Sequence, residues 1–375
     1  MRDVLEPLID AWESGDRIGL GTVIGTQKSA PRPPGAAMLV LGDGSVVGSV
    51  SGGCVEGDVY ELAQRVVAED APELRRYGYS DDEAFAVGLT CGGIVDVFVE
   101  PVDRTTFPEL GTIAEDVRAG RPVAVATVIE HPDASWVGRH LVLRTDEVLG
   151  GLGSQRADHA VADDARGLLA VGRSQVLEFG PDGERMDTGM KVFVNAFQPR
   201  PRMIVFGAID YAAAVARQAE LLGYRVTVCD ARPVFATPER FPAADEVVVS
   251  WPHRYLRAEV EAGRVDQRTV ICVLTHDPKF DVPVLDLALR LEGEQQPFYI
   301  GAMGSRRTHD ERLERLREAG LGEKQLRRLH SPIGLDLRGR TPEETAVAVA
   351  AELVALRWGG SGRPLHETDT AIHAD

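Results

Sequence analysis

The chain repeats itself, and that repetition limits the folds open to its first half more than any other feature. Residues 16–24, DRIGLGTVI, resemble residues 120–129, GRPVAVATVI. Each copy then passes through a turn into a second apolar strand, at residues 37–41 and 140–144, and on into a strand that enters a glycine loop, VVGSVSGG or VLGGLGS. A helix is expected to begin near residue 55 or 157, and each copy closes on a matching strand, at 97–100 or 192–195. The first half therefore reads as an N-terminal α/β domain over residues 1–198, duplicated internally as units of about 1–104 and 105–198.

After Gln198-Pro199-Arg200-Pro201 the pattern changes to short apolar strands alternating with helices. That alternation predicts a C-terminal Rossmann-like, doubly wound parallel sheet over residues 202–358. Its strands are expected at 203–206, 225–229, 246–249, 269–274 and 297–300, with a helix at 211–222 ended by Gly223. Thr341-Pro342-Glu343-Glu344 supplies an N-cap, a first-turn proline and a capping-box glutamate for a helix over 342–357. Residues 359–375 read as a disordered tail.

A length of 375 residues suits two or three such domains. The formal net charge of −17 argues against nucleic acid as a partner, because that affinity rests on a broad basic face. No apolar run is long enough to cross a membrane, and the chain begins as an acidic amphipathic helix rather than a signal peptide, so a cytoplasmic protein is expected. Four cysteines lie far apart with no C-x-x-C pair, which fits reduced thiols better than a disulfide frame or a structural zinc site.

Two of those cysteines have a chemical setting. Cys54 follows Gly52 and Gly53, which allow close approach of the backbone to a ligand, and precedes a helix start, where amides and the helix dipole favour a thiolate. Cys91 repeats the arrangement in Thr90-Cys91-Gly92-Gly93. Thiolates suit soft metals, so Cys54 and Cys91 are the candidate metal contacts, against the alternative of small buried side chains. The second copy has Gln155-Arg156 at the place of Gly53-Cys54 and no cysteine, which confines thiol chemistry to the first copy.

Three loops could meet an anionic ligand, one of them with a damaged phosphate contact. Arg32 lies in a proline-stiffened loop and could fork onto a phosphate or simply face water. In the second domain the glycine fingerprint of a dinucleotide site is reduced to Gly207, followed by Ile209 and the negative Asp210, while Asp230 holds the usual ribose-binding place. The loop Gly301-Ala302-Met303-Gly304-Ser305-Arg306 is a better anion candidate, through Gly301, Gly304, Ser305 and Arg306. His276-Asp277 follows the fourth strand on the same edge, where Asp277 could equally be a helix cap.

Taken together, SAPRPPGAAM, GSVSGGCVEGDV, LTCGG, LTHDPKFD, YIGAMGSRR and SPIGLDLRGRTPEE resemble the XdhC/CoxI family over nearly the whole chain. The resemblance implies an N-terminal domain with cysteine loops, a C-terminal Rossmann-like domain, and binding of a molybdopterin-type molybdenum cofactor. It further implies help with sulfuration of that cofactor and its delivery to a molybdenum hydroxylase apoenzyme of the xanthine dehydrogenase or carbon monoxide dehydrogenase type. Carried over, Cys54 is the leading cofactor contact and Cys91 the second. A sulfur donor protein and a homodimer are further implied partners. A carrier needs only binding and release, so no catalytic residue is assigned.

The chain departs from the family at Ile209 and Asp210, where a fuller glycine turn and a histidine are usual, and this argues against NAD(P) or another nucleotide there. An NAD(P)-dependent oxidoreductase and a non-enzymatic assembly scaffold remain the competing classes. Calorimetry with NAD(P) and co-purification with a hydroxylase separate them.

Overall fold

A computed structural model describes residues 1–27, 32–78 and 93–369, and these divide into two compact units between Pro199 and Arg200. The first unit begins with α1 (Leu5–Ser14), β1 (Ile18–Gln27), β2 (Ala37–Val40), β3 (Val46–Gly48), α2 (Glu56–Glu69), β4 (Glu73–Tyr77) and β5 (Ile94–Val102). After α3 (Leu110–Arg118) the order returns as β6 (Val123–Glu130), β7 (His140–Leu143), β8 (Val148–Gly150), α4 (Gln155–Val171), β9 (Gln175–Phe179) and β10 (Met190–Phe197). Two five-stranded antiparallel sheets result, ordered β3-β2-β1-β5-β4 and β8-β7-β6-β10-β9. The internal duplication thus holds strand for strand.

Alternation along the strands sorts side chains between two layers. Gly19, Gly21 and Val23 of β1 turn toward α2, where a Cβ at Gly19 would lie 2.7 Å from the Ala63 Cβ. Ala124, Ala126 and Val128 of β6 turn likewise toward α4. The opposite faces of the two sheets meet, and there Ile24, Phe98, Ile129 and Phe193 form one buried cluster. Each half contributes one isoleucine and one phenylalanine from matching positions. Both isoleucines sit at a bulge: pairing skips Ile24 between Val23 and Gly25, and skips Ile129 between Val128 and Glu130. A bulge re-aims the strand end, here at the same residue of each repeat.

The second unit runs β11 (Arg202–Phe206), α5 (Asp210–Leu221), β12 (Arg225–Asp230), β13 (Glu246–Val249), α6 (Pro252–Glu261), β14 (Val270–Val273), α7 (Pro278–Arg290), β15 (Tyr299–Ala302), α8 (Arg306–Glu318), α9 (Glu323–Leu326), β16 (Leu329–His330) and α10 (Pro342–Trp358). All strand pairs are parallel, in the order β13-β12-β11-β14-β15-β16. This is a doubly wound Rossmann-like sheet whose order reverses between β11 and β14. One face packs on α5 and α10, the other on α6, α7 and α8. The expected strand at 297–300 begins two residues later, at Tyr299, because Pro297 and Phe298 still belong to the connection from α7. Thr341 and Glu344 close the expected capping box on α10. Beyond that helix a helical turn covers Leu365–Glu367, and residues 370–375 lie outside the described residues.

Candidate functional site

The loop between β3 and α2 delivers Cys54, half-buried against Val50 and Val55 at the edge of the cluster that α2 forms with its sheet. Gly52 and Gly53 take φ values of +80° and +120°, conformations that suit glycine, and a Cβ at either would meet nothing within 4 Å. The backbone beside the thiol is therefore open on one side.

The loop is organised around Glu56, the first residue of α2. Its carboxylate accepts the amide protons of Ser51, Gly52 and Gly53 at 2.9, 3.0 and 2.8 Å, and the hydroxyls of Ser49 and Ser51 at 2.6 Å each. Ser51 Oγ in turn accepts from the amides of Cys54 and Val55 at 3.0 and 3.1 Å. Burial pushes the Glu56 carboxyl up, but the donors of Ser49, Ser51 and the backbone outweigh it and hold the group at about 2. Three backbone amides beside Cys54 are thus turned onto an internal carboxylate. The acidic first-turn residue was the available signal, and Asp158 repeats it in the second copy, where it accepts the Leu152 amide at 2.7 Å.

Counting from β3 and β8, Arg156 stands at the place of Cys54. It pairs with Glu184 at 3.2 Å and Asp182 at 3.8 Å in the β9–β10 turn. The corresponding β4–β5 connection of the first repeat carries Cys91, which lies outside the described residues. Among the described residues no group of three or more His, Cys, Asp or Glu side chains could hold a metal ion. Cys229 and Cys272 are fully buried, and burial pushes both thiols up to about 12, which makes them inert core residues.

The expected anion residues are dispersed. Arg32 is partly exposed and ion-paired with Asp3. In the second unit Asp230 is buried at the end of β12, where it accepts the Ala208 amide at 2.8 Å and the Arg232 guanidinium at 2.9 and 2.8 Å. The carboxylate expected to read a ribose is thus committed to its own protein. Gly207, at φ +115°, lets the first loop pass under Thr275, where a Cβ would lie 2.8 Å away. Asp210 pairs with Arg240 at 3.5 Å. Asp277 caps α7 through the Lys279 amide.

Gly301 lies in β15 against Ile333 and Tyr299, so packing accounts for the glycine. A Cβ at Gly304 would lie 3.1 Å from the Thr308 side chain. Ser305 caps α8 by accepting the Thr308 amide, and the Arg306 side chain is exposed with no hydrogen bond or ion pair among the described residues. Asp230 and the Gly301 loop share one sheet edge, but β11 and β14 lie between them, a span of three strand spacings or about 14 Å.

Comparison with known proteins places these features in context. The family described as "XdhC and CoxI family" matches residues 11–78 and 116–180, and "XdhC Rossmann domain" matches residues 203–353. Cys54 falls inside the first matched stretch; Cys91 falls between stretches. The chain is 28% identical to a Bacillus subtilis protein described as a probable xanthine dehydrogenase subunit, over 93% of this chain and 96% of that protein. It is 26% identical to the "Molybdenum cofactor insertion chaperone PaoD" of Escherichia coli, over 95% and 88%. A crystal structure of a xanthine dehydrogenase from Bacillus halodurans superposes with a TM-score of 0.72 at 26% identity, covering 98% of this chain and 97% of the other.

Proposed function

The chain belongs to the XdhC and CoxI family, and from that premise we propose that it binds molybdenum cofactor and inserts it into a molybdenum hydroxylase apoenzyme of the xanthine dehydrogenase or carbon monoxide dehydrogenase type. A relative described as a molybdenum cofactor insertion chaperone, aligned over 95% of the chain, supports the reading. The observation that carries the site is the seating of Cys54 at the open edge of the Gly52-Gly53 turn, in a loop already fixed by Glu56.

The donor set fits one part of such a cofactor well. When bound, the cofactor brings a soft, sulfur-rich molybdenum centre and an anionic phosphate. Cys54 offers sulfur to the first, and Gly52 and Gly53 let a flat group lie close to the backbone. The amides of Ser51, Gly52 and Gly53 are already given to Glu56, so for the phosphate Arg32, and in the second unit Gly301, Gly304, Ser305, Arg306 and Asp230, are separate proposals, each to be tested by its own substitution. Cys91 is proposed as the second thiol: in the other repeat, the residue at the place of Cys54 reaches the turn that corresponds to the connection carrying Cys91. A sulfur donor protein as second partner, a homodimer and a cytoplasmic location complete the reading.

Uptake of molybdenum cofactor by the purified protein tests it. Cys54→Ser is expected to weaken uptake by about tenfold, a loss of about 1.4 kcal/mol, and Cys54→Ser with Cys91→Ser to weaken it further. Unchanged uptake in Cys54→Ser removes that thiol from the site. A wild-type protein that neither takes up cofactor nor co-purifies with a hydroxylase overturns the function itself.

A further inference from the structure

We propose that the second unit holds a binding site for a small phosphate monoester in the cavity between α7 and α8, recognised by Arg315, His276 and Thr308. The cavity measures about 300 Å³. That is the lower end of the range for small-molecule sites, roughly 300–1,000 Å³, and more than a bare phosphate needs.

Its charges are accounted for residue by residue. Arg312 and Asp281 are buried and pair at 2.9 Å, while Arg312 also donates to Met303 O at 2.8 Å and Ser331 Oγ at 3.0 Å, and the Thr275 hydroxyl donates to Asp281. These groups form a fixed, neutral floor. Glu311 on the wall is neutralised by Arg307 at 2.9 Å. Arg315 and His276 remain, both exposed, their side chains without a hydrogen bond or ion pair among the described residues.

With Asp281 paired to Arg312 and Glu311 to Arg307, Arg315 is left, among the described residues, as the cation of the lining without a carboxylate partner, and its guanidinium fork matches a phosphate edge. Thr308 can accept from Ser305 at 2.9 Å and turn its own proton to a ligand. Pro278 and Val282 supply an apolar wall for the organic part. None of these three recognition residues belongs to the cysteine loop, so the inference goes beyond the thiol reading and stands without it.

Calorimetry on the full chain tests the proposal with ribose 5-phosphate and cytidine 5′-monophosphate, against ribose, cytidine, inorganic phosphate and succinate. Saturable binding of the two esters is expected, weakened about tenfold by Arg315→Gln and several-fold by His276→Gln. Cys54→Ser should leave it unchanged. Both substituted side chains are exposed, and unaltered thermal melting verifies that the variants are folded. Absence of ester binding at millimolar concentration, equal binding of succinate, or binding indifferent to both substitutions overturns the proposal.

Discussion

Glu56 takes the amide proton of Gly53 at 2.8 Å, so the first residue of α2 closes back over the loop that presents Cys54. The thiol is held in position by a carboxylate two residues further on. Its placement is set by hydrogen bonds within the loop itself, the kind of pre-organisation that lowers the ordering cost of binding.

That relationship predicts an acid-sensitive loop. The Glu56 carboxyl sits at about 2 in the fold, against an ordinary value near 4.3 in an unfolded chain. A depressed carboxyl contributes stability that is fully present above the unfolded value and is lost as pH falls through the folded one, here between about pH 4.5 and 2. Glu56→Gln is expected to destabilise the first unit by about 1–2 kcal/mol at neutral pH and to flatten the acid arm of its stability curve. Urea melts between pH 7 and 3 measure both, and an unaltered acid arm discards the role given to Glu56.

The thiols should divide into two classes. Cys229 and Cys272 have no exposed surface and raised thiols. In a Cys54→Ser, Cys91→Ser variant, a thiol reagent is expected to find no reactive group in the native protein and two after unfolding. Early modification of either remaining cysteine contradicts their placement in the sheet core.

Breaking the buried pair under the α7–α8 cavity should be costly. Arg312→Met leaves Asp281 without its cation, and losses of about 3–5 kcal/mol follow when one partner of such a pair is removed. Replacing both with apolar residues is expected to recover much of the loss. A denaturation series on the single and double variants decides; a single variant as stable as the wild type rejects the pairing.

The second repeat should tolerate loss of its arginine. Arg156 pairs with Glu184 and Asp182 while more than half exposed, and exposed pairs contribute under about 1 kcal/mol. Arg156→Ala is expected to shift melting slightly and leave cofactor uptake intact. A loss of uptake instead places the second repeat inside the binding site.

The sequence was most informative where local chemistry and burial agreed. The repeat announced itself because Leu20 and Val125, and Val97 and Val192, carry the same apolar pattern in strands buried on both faces. Thr341 and Glu344 announced α10 because a capping box is a local motif. β4 and β9 were not legible: ELRRY and QVLEF lie at sheet edges, where only Tyr77 and Phe179 are fully buried. Glu56 stood in the motif, but its partners depend on how the glycine turn folds, and the sequence does not show that amides point at it. Asp230 was legible as the end of a strand and not as the partner of Arg232. The cavity lining, drawn from a loop and two helices, has no signature along the chain.

Matching Ile–Phe pairs at the heart of the first unit bear on its ancestry. The two pairs share one buried cluster, to which both halves contribute. Severed near residue 104, the first repeat alone would expose Ile24 and Phe98 on a flat sheet face, already shaped to accept a like surface. Such a fragment is expected to associate with a second copy of itself, the state from which a gene fusion could have produced the present chain. Once fused, one half could keep the thiol while the other lost it without loosening the shared core.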